Sequence, residues 1–309
     1  MRLAIISDEI SQDIDEVLSV LTQTGLHYLE IRMIEGRNVL DLSDDELRDL
    51  QRLLKRSQIE VCAIAAPLFK APLDEKGDEK SHDMDSAAGP DPFKLAIDSF
   101  PGHLELLERA IEIAKRFNTR LIRCFSFMGM KPYDEVFPQI AQRLSVAARR
   151  AEDADVILCV ENEPSCYAKT SWQVSELLSR IQSKHIGALW DPGNAYCVGE
   201  KDLAKGFDNV RERVMHIHLK DILLRDPVLP PVPPPGKDPS GGVAPRGSPE
   251  MAPEFTVVGR GVLDYPAQLA LWRRSGYTGF LSLEPHLSIG RGSVSGAIQS
   301  IRSMQAMLR

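Results

Sequence analysis

Short apolar runs alternate with amphipathic stretches along the whole chain of 309 residues. The runs at Leu3–Ser7, Tyr28–Arg32, Val61–Ala66, Leu121–Phe127, Val156–Glu161, Ile186–Trp190, Val214–Leu219 and Phe280–Leu283 predict strands. Between them, Asp13–Thr24, Asp44–Arg56, His103–Phe117, Asp134–Asp153, Trp172–Gln182 and Ala267–Ser275 keep helical spacing, and a last amphipathic stretch covers Val294–Leu308. Ser43, with Glu46 three residues later, predicts a capping box, and Gly25 and Gly276 stand where helix C-caps belong. Strands alternating one for one with helices imply a parallel sheet. At this length the expected solution is a single α/β domain over residues 1–309, a closed (β/α)8 TIM barrel. A doubly wound sheet would place a Gly-rich turn after its first strand, and Ser7-Asp8-Glu9-Ile10-Ser11 is not one.

Two segments break the rhythm. Residues 70–98, after the third strand, are charged and rich in Gly, Pro, Ser and Asp, and residues 225–254, after the seventh, carry ten prolines from Pro227 to Pro253. Both read as loop insertions on the side of the barrel where active sites are built, and the second as either a passive insertion or a lid.

Composition narrows the function classes. Hydrophobic residues make up 43% of the chain, charged residues 26%, and the formal net charge is −7. An acidic sequence pI of about 5.6 argues against a nucleic-acid partner, since phosphate binding calls for a basic face. The five cysteines are odd in number, lack a CxxC spacing and fall mainly in apolar runs, which reads as reduced buried thiols. No apolar run is long enough to span a bilayer, and Met1 leads directly into the first strand, so the expected location is the cytoplasm, with no membrane partner.

The chemistry stands at the strand ends. The fifth strand closes on Val160-Glu161-Asn162-Glu163, the sixth on Trp190-Asp191-Pro192-Gly193-Asn194, and the eighth on Leu283-Glu284-Pro285-His286, while the seventh reads His216-Ile217-His218-Leu219-Lys220-Asp221. Catalytic residues of such barrels come from the C-terminal ends of several strands, so these side chains converge. Crowded carboxylates repel one another unless a cation joins them. Glu161, Asp191, His218 and Glu284 are therefore the expected ligands of one divalent ion, and carboxylate mixed with imidazole suits Mn²⁺, Mg²⁺, Co²⁺, Fe²⁺ or Zn²⁺. Period-two alternation puts His216, His218 and Lys220 on one face, with His218 nearer the mouth and His216 a layer deeper, suited to orienting a ligand. Glu30 and Arg32 share the inward face of the second strand, where they either pair with each other or meet a substrate hydroxyl. Asn194, Lys220 and His286 complete the expected substrate-binding set, with Arg123 a weaker candidate. Gly290-Arg291-Gly292-Ser293 is an ordinary loop and cap, or an anion site at a helix start.

This spacing of Glu161, Asp191, His218 and Glu284, with the phrases around them, resembles the xylose isomerase-like barrel superfamily, and within it the sugar phosphate isomerase/epimerase proteins. The resemblance runs essentially the length of the chain. It implies that Glu161 and Glu284 double as an acid/base pair exchanging a proton next to a carbonyl through a metal-stabilised enediolate. Its implied substrates are small sugars or polyols, its implied assembly a dimer or tetramer. Three positions depart from the sugar epimerase pattern: Asn194 where a His is expected, Tyr167 where a Glu is, and Leu224 where an Arg is. The endonuclease branch needs a trinuclear zinc cluster, and seven histidines scattered as these are do not supply it. The expected activity is a metal-dependent sugar isomerase or epimerase. The alternatives are a metal-dependent dehydratase of an inosose-like or keto-sugar substrate, and a non-catalytic sugar- or metal-binding barrel.

Overall fold

The computed structural model describes residues 1–73, 97, 99–224, 253–287 and 291–309. Most of both insertions, and Gly290, lie outside the described residues. Eight parallel strands close a barrel: β1 (Arg2–Ile6), β2 (Tyr28–Ile31), β3 (Glu60–Leu68), β4 (Leu121–Cys124), β5 (Ile157–Glu161), β6 (Ile186–Trp190), β7 (Val214–Leu219) and β8 (Phe280–Leu283). Each strand pairs with its chain neighbours, and β8 returns to β1. Outside the barrel lie α1 (Ile14–Thr24), α2 (Asp44–Arg56), α3 (Phe100–Arg116), α4 (Tyr133–Asp153), α5 (Ser171–Ser179), α6 (Leu203–Val210), α7 (Tyr265–Arg274) and α8 (Arg291–Leu308). No described helix is long and apolar enough to cross a membrane.

Local signals explain the elements. In α2 the Ser43 side chain accepts from Glu46 N and the Glu46 carboxylate accepts from Ser43 N, closing the expected capping box. Leu47, Leu50 and Leu54 form its buried stripe. Gly25 ends α1 at a φ of +66°, which only glycine adopts without steric cost, and Gly276 follows α7 at +81°. The strands are apolar on the outer face, which the helices cover.

Two expectations are corrected. The fourth strand stops at Cys124 instead of Phe127, because Phe127 turns to a φ of +62° and its N–H bonds to Phe69 O beyond the ladder. The helix α6, absent from the sequence reading, has buried Leu203, Gly206, Phe207 and Val210. Gly206 occupies an apolar-stripe position because a Cβ there would stand 2.8 Å from the Trp190 ring.

The main apolar cluster lies between strands and helices and includes Ile5, Leu29, Ile122, Ile217 and Leu281. A small separate cluster of Ala4, Cys62 and Ala63, covered by Tyr28, Leu121 and Phe280, fills the floor of the barrel. Above that floor the interior turns polar. The register brings the chemistry to one level: Ser282 lies beside His218, two residues before Glu284, and Glu161 lies beside Leu189, two residues before Asp191. All five cysteines are free, and four are buried.

Candidate functional site

The C-terminal ends of β5 to β8 bring Glu161, Asp191, His218 and Glu284 together, one donor atom of each within 4.8 Å of the others. All four are at most 2% exposed. The strand ends are locked to each other: Asn162 Nδ2 donates to Asp191 O and Asp191 N donates to Asn162 Oδ1, both at 2.8 Å. Asp191 also caps the short helix Pro192–Cys197, accepting from Asn194 N at 2.8 Å through Oδ1. That leaves Oδ2 turned into the barrel.

His218 has carboxylates at both ends of its ring. Nδ1 faces Glu284 Oε2 at 3.1 Å and Glu161 Oε1 at 3.8 Å, and Nε2 lies 3.2 Å from both oxygens of Glu30. Burial opposes its charged form, but Glu30 and Glu284 outweigh that and hold its pKa well above the usual histidine value. Burial likewise opposes the ionised form of Glu284, yet Lys220 and His218 keep it well below the ordinary carboxylate range. Asp191 goes the other way, pushed up to about 6 by burial against the pull of Lys220.

Lys220 is a buried cation that bridges two members of the quartet. Its Nζ stands 2.9 Å from Asp191 Oδ2, 3.1 Å from Glu284 Oε2 and from Asn194 Oδ1, and 3.3 Å from His286 Nε2. It is 2% exposed, so it belongs to the pocket wall and not to the rim. Asn194 links the groups, donating through Nδ2 to Glu161 Oε1 at 3.0 Å and to Glu163 Oε2 at 3.3 Å. His286, with a φ of +50°, lies over the mouth against the Phe255 ring. Burial and Lys220 lower its pKa to about 3, so it is a neutral imidazole at physiological pH.

Arg32 reaches across to the other side of Glu284. Its NH1 donates to Glu284 Oε1 at 2.6 Å, its NH2 to Glu9 Oε1 at 2.7 Å, and its Nε to both Asp8 oxygens at 3.0 Å. Arg123 NH1 stands 3.6 Å from Glu161 Oε2 and 3.7 Å from Glu284 Oε1.

Glu30 and His216, expected among the substrate-binding residues, lie below the mouth of the barrel. Glu30 pairs neither with Arg32 nor with the mouth: it is fully buried, accepting from His216 Nε2 at 2.7 Å and facing His218 Nε2. His216, 1% exposed, lies in the same deeper layer. Asp8, Glu9 and Asn162 were not singled out in the sequence. For Asp8 and Glu9 a signal exists, since they stand two and three residues after the end of β1.

The residues fit a divalent cation. Among the described residues, buried Glu161 Oε2 accepts no hydrogen bond, and buried Asp191 Oδ2 has only the Lys220 ammonium beside it at 2.9 Å. Asp8, Glu9, Glu30, Glu161, Asp191 and Glu284 stand against the permanent charges of Arg32, Arg123 and Lys220, an excess of acid that an added double positive charge relieves. Mixed carboxylate and imidazole donors are those of Mn²⁺, Mg²⁺, Co²⁺, Fe²⁺ or Zn²⁺ sites.

Comparison with known proteins agrees with this architecture. Residues 18–307 match the family described as xylose isomerase-like TIM barrel. An inosose dehydratase from Klebsiella pneumoniae is 26% identical over 163 residues, covering 52% of this chain and 49% of that protein, so the match spans about half the length of the curated relative. An IolI protein whose crystal structure has a bound zinc atom superposes with a TM-score of 0.69 at 16% identity, over 100% of this chain and 98% of its own. The 3-keto-D-glucoside 4-epimerase of E. coli superposes with a TM-score of 0.68 at 13% identity, over 100% and 99%.

Proposed function

The chain belongs to the xylose isomerase-like TIM barrel family, and from that premise we propose that it is a metal-dependent isomerase or epimerase of a small sugar or polyol. In this reading Glu161, Asp191, His218 and Glu284 hold one divalent cation. When bound, that cation polarises a substrate carbonyl and acidifies the neighbouring C–H.

The observation that carries the reading is the placement of the two glutamates. Glu161 and Glu284 come from strands that flank β6 and β7, and both reach toward the same ring nitrogen of His218. A substrate carbon seated over them has a carboxylate at hand on either side, which epimerisation needs: one removes the proton and the other returns one to the opposite face. Asn194 restrains Glu161, and Arg32 with Lys220 restrains Glu284, so each is held ready without a search among rotamers. Neutral His286 at the mouth offers a hydrogen bond to a substrate hydroxyl without adding charge.

A dehydratase is the second reading. It is favoured by the similarity to inosose dehydratase, and it begins with the same proton removal. Lys220, 3.1 Å from Glu284, would then place a positive charge near the hydroxyl, which leaves as water with the proton the glutamate had removed. NMR in deuterated buffer with Mn²⁺, over ketoses, sugar acids and inososes, separates the two. Deuterium incorporation with formation of an epimer or ketose–aldose isomer supports the first, and loss of water from the substrate supports the second. A metal-loaded protein that exchanges no C–H in any substrate of the panel counts against both.

A further inference from the structure

Resting on that reading of the quartet, we infer that Glu30 and His216 are positioning residues that fix which nitrogen of His218 carries a proton and which faces the cation. Neither touches the quartet's carboxylates. Glu30 is on β2, across the barrel from β7, and among the described residues its hydrogen-bond partners are the two histidines. An ionised carboxylate has acceptors alone, so each ring nitrogen facing it must be a donor. His218 Nε2, 3.2 Å from both Glu30 oxygens, therefore holds the N–H. A cation that displaces the Nδ1 proton leaves a neutral imidazole with its lone pair on Nδ1, the atom aimed between Glu161 and Glu284.

His216 steadies the carboxylate. Its Nε2 donates to Glu30 Oε2 at 2.7 Å, while its buried Nδ1 has no hydrogen-bond partner among the described residues, where Glu30 is its one hydrogen bond. Its ring stands edge to face with that of His218, 5.2 Å between centroids at 80°, which restrains both rings. The hydrogen bonds from the two imidazoles offset the desolvation of this buried carboxylate.

The same three side chains have the ligand types of a second cation site. That alternative fails on His218, because a neutral imidazole has one lone pair and Nδ1 already uses it. The separations of 2.7 and 3.2 Å are also hydrogen-bond distances.

The test uses the full chain with Zn²⁺ as probe. In ¹⁵N-histidine-labelled wild type loaded with Zn²⁺, two-bond H–N correlations show His218 protonated on Nε2 with Nδ1 shifted by the metal. Protonation on Nδ1, or zinc on Nε2, overturns the inference. In Glu30→Gln, whose amide can present either a donor or an acceptor, competition titration shows Zn²⁺ affinity falling about 10–100-fold, with the near-UV circular dichroism of the unloaded protein unchanged. A folded Glu30→Gln that binds within roughly twofold of wild type overturns it. Should Glu30→Gln not fold, the wild-type spectrum decides. Wild type that takes up no Zn²⁺ removes the reading of the quartet itself, whereas normal uptake by both proteins removes only the role of Glu30.

Discussion

Replacing Arg32 with Met tests how tightly the mouth of the barrel depends on one guanidinium. Arg32 bonds Asp8, Glu9 and Glu284 together, and the four side chains are only 2–4% exposed. Exposed ion pairs contribute less than about 1 kcal/mol each. Removing one partner of a buried set instead leaves charges with no compensation, at a cost of about 3–5 kcal/mol. Met matches much of the aliphatic stem, so a cavity contributes little to the difference. The freed carboxylates relieve their repulsion by taking up protons. Glu9 is already raised to about 7 with Arg32 in place, by burial and by Glu284 and Asp8, and losing the guanidinium raises it further. A carboxyl group whose folded-state pKa is raised adds stability that is complete below its unfolded value and is lost as pH climbs through its folded value. The deficit of Arg32→Met is therefore greatest in alkaline buffer. Urea unfolding of metal-free wild type and variant at pH 8.5 and 5.5 should give a loss of about 3–5 kcal/mol at the higher pH and a smaller one at the lower. A loss under about 1 kcal/mol at pH 8.5, or one that grows on acidification, would refute the reasoning.

Three further outcomes follow from the same geometry. Glu161→Gln and Glu284→Gln should each slow metal-dependent C–H exchange about a hundredfold or more, because a carboxamide accepts no proton; initial rates in deuterated buffer measure this. His286, whose pKa is lowered to about 3, adds stability that is present above the ordinary histidine value of 6.5 and is lost as pH falls toward 3. His286→Gln should then lose less stability than wild type between pH 6.5 and 4, read from urea midpoints, and equal losses would contradict the assignment. Gly193→Ala places a Cβ 2.3 Å from Lys220 Cγ, so the Lys220 stem must move; a cost of about 1–3 kcal/mol in thermal unfolding is expected, and an unchanged midpoint would show that the wall yields freely.

Much of this arrangement is legible in the sequence, and the parts that are not have identifiable reasons. The bounds of β6, β7 and β8 follow directly from their apolar runs, and the quartet follows from the polar residues in or just after the ends of β5 to β8. Glu30 is different. Alternation puts it on the same face as Arg32, but residues two apart on a strand stand about 6.5 Å from each other, and each finds a nearer partner across the closed barrel. Glu30 meets His216, 186 residues away, and Arg32 meets Glu284, 252 residues away, contacts that no local pattern announces. Asp8 and Glu9 carried the strand-end signal but read as turn residues. Helix α6 escaped notice because Gly206 interrupts its stripe, and only the Trp190 ring packed against that position explains why glycine stands there.

The account turns on one cation at the C-terminal mouth of the barrel. Anomalous diffraction from crystals of wild type loaded with Mn²⁺ or Zn²⁺ tests it most directly. A single peak at coordination distance, about 2.0–2.2 Å, from Glu161, Asp191, His218 Nδ1 and Glu284 is the predicted result. A peak among Glu9, Glu284 and His286, a peak at Glu30 and His216, or no peak at the quartet would contradict it.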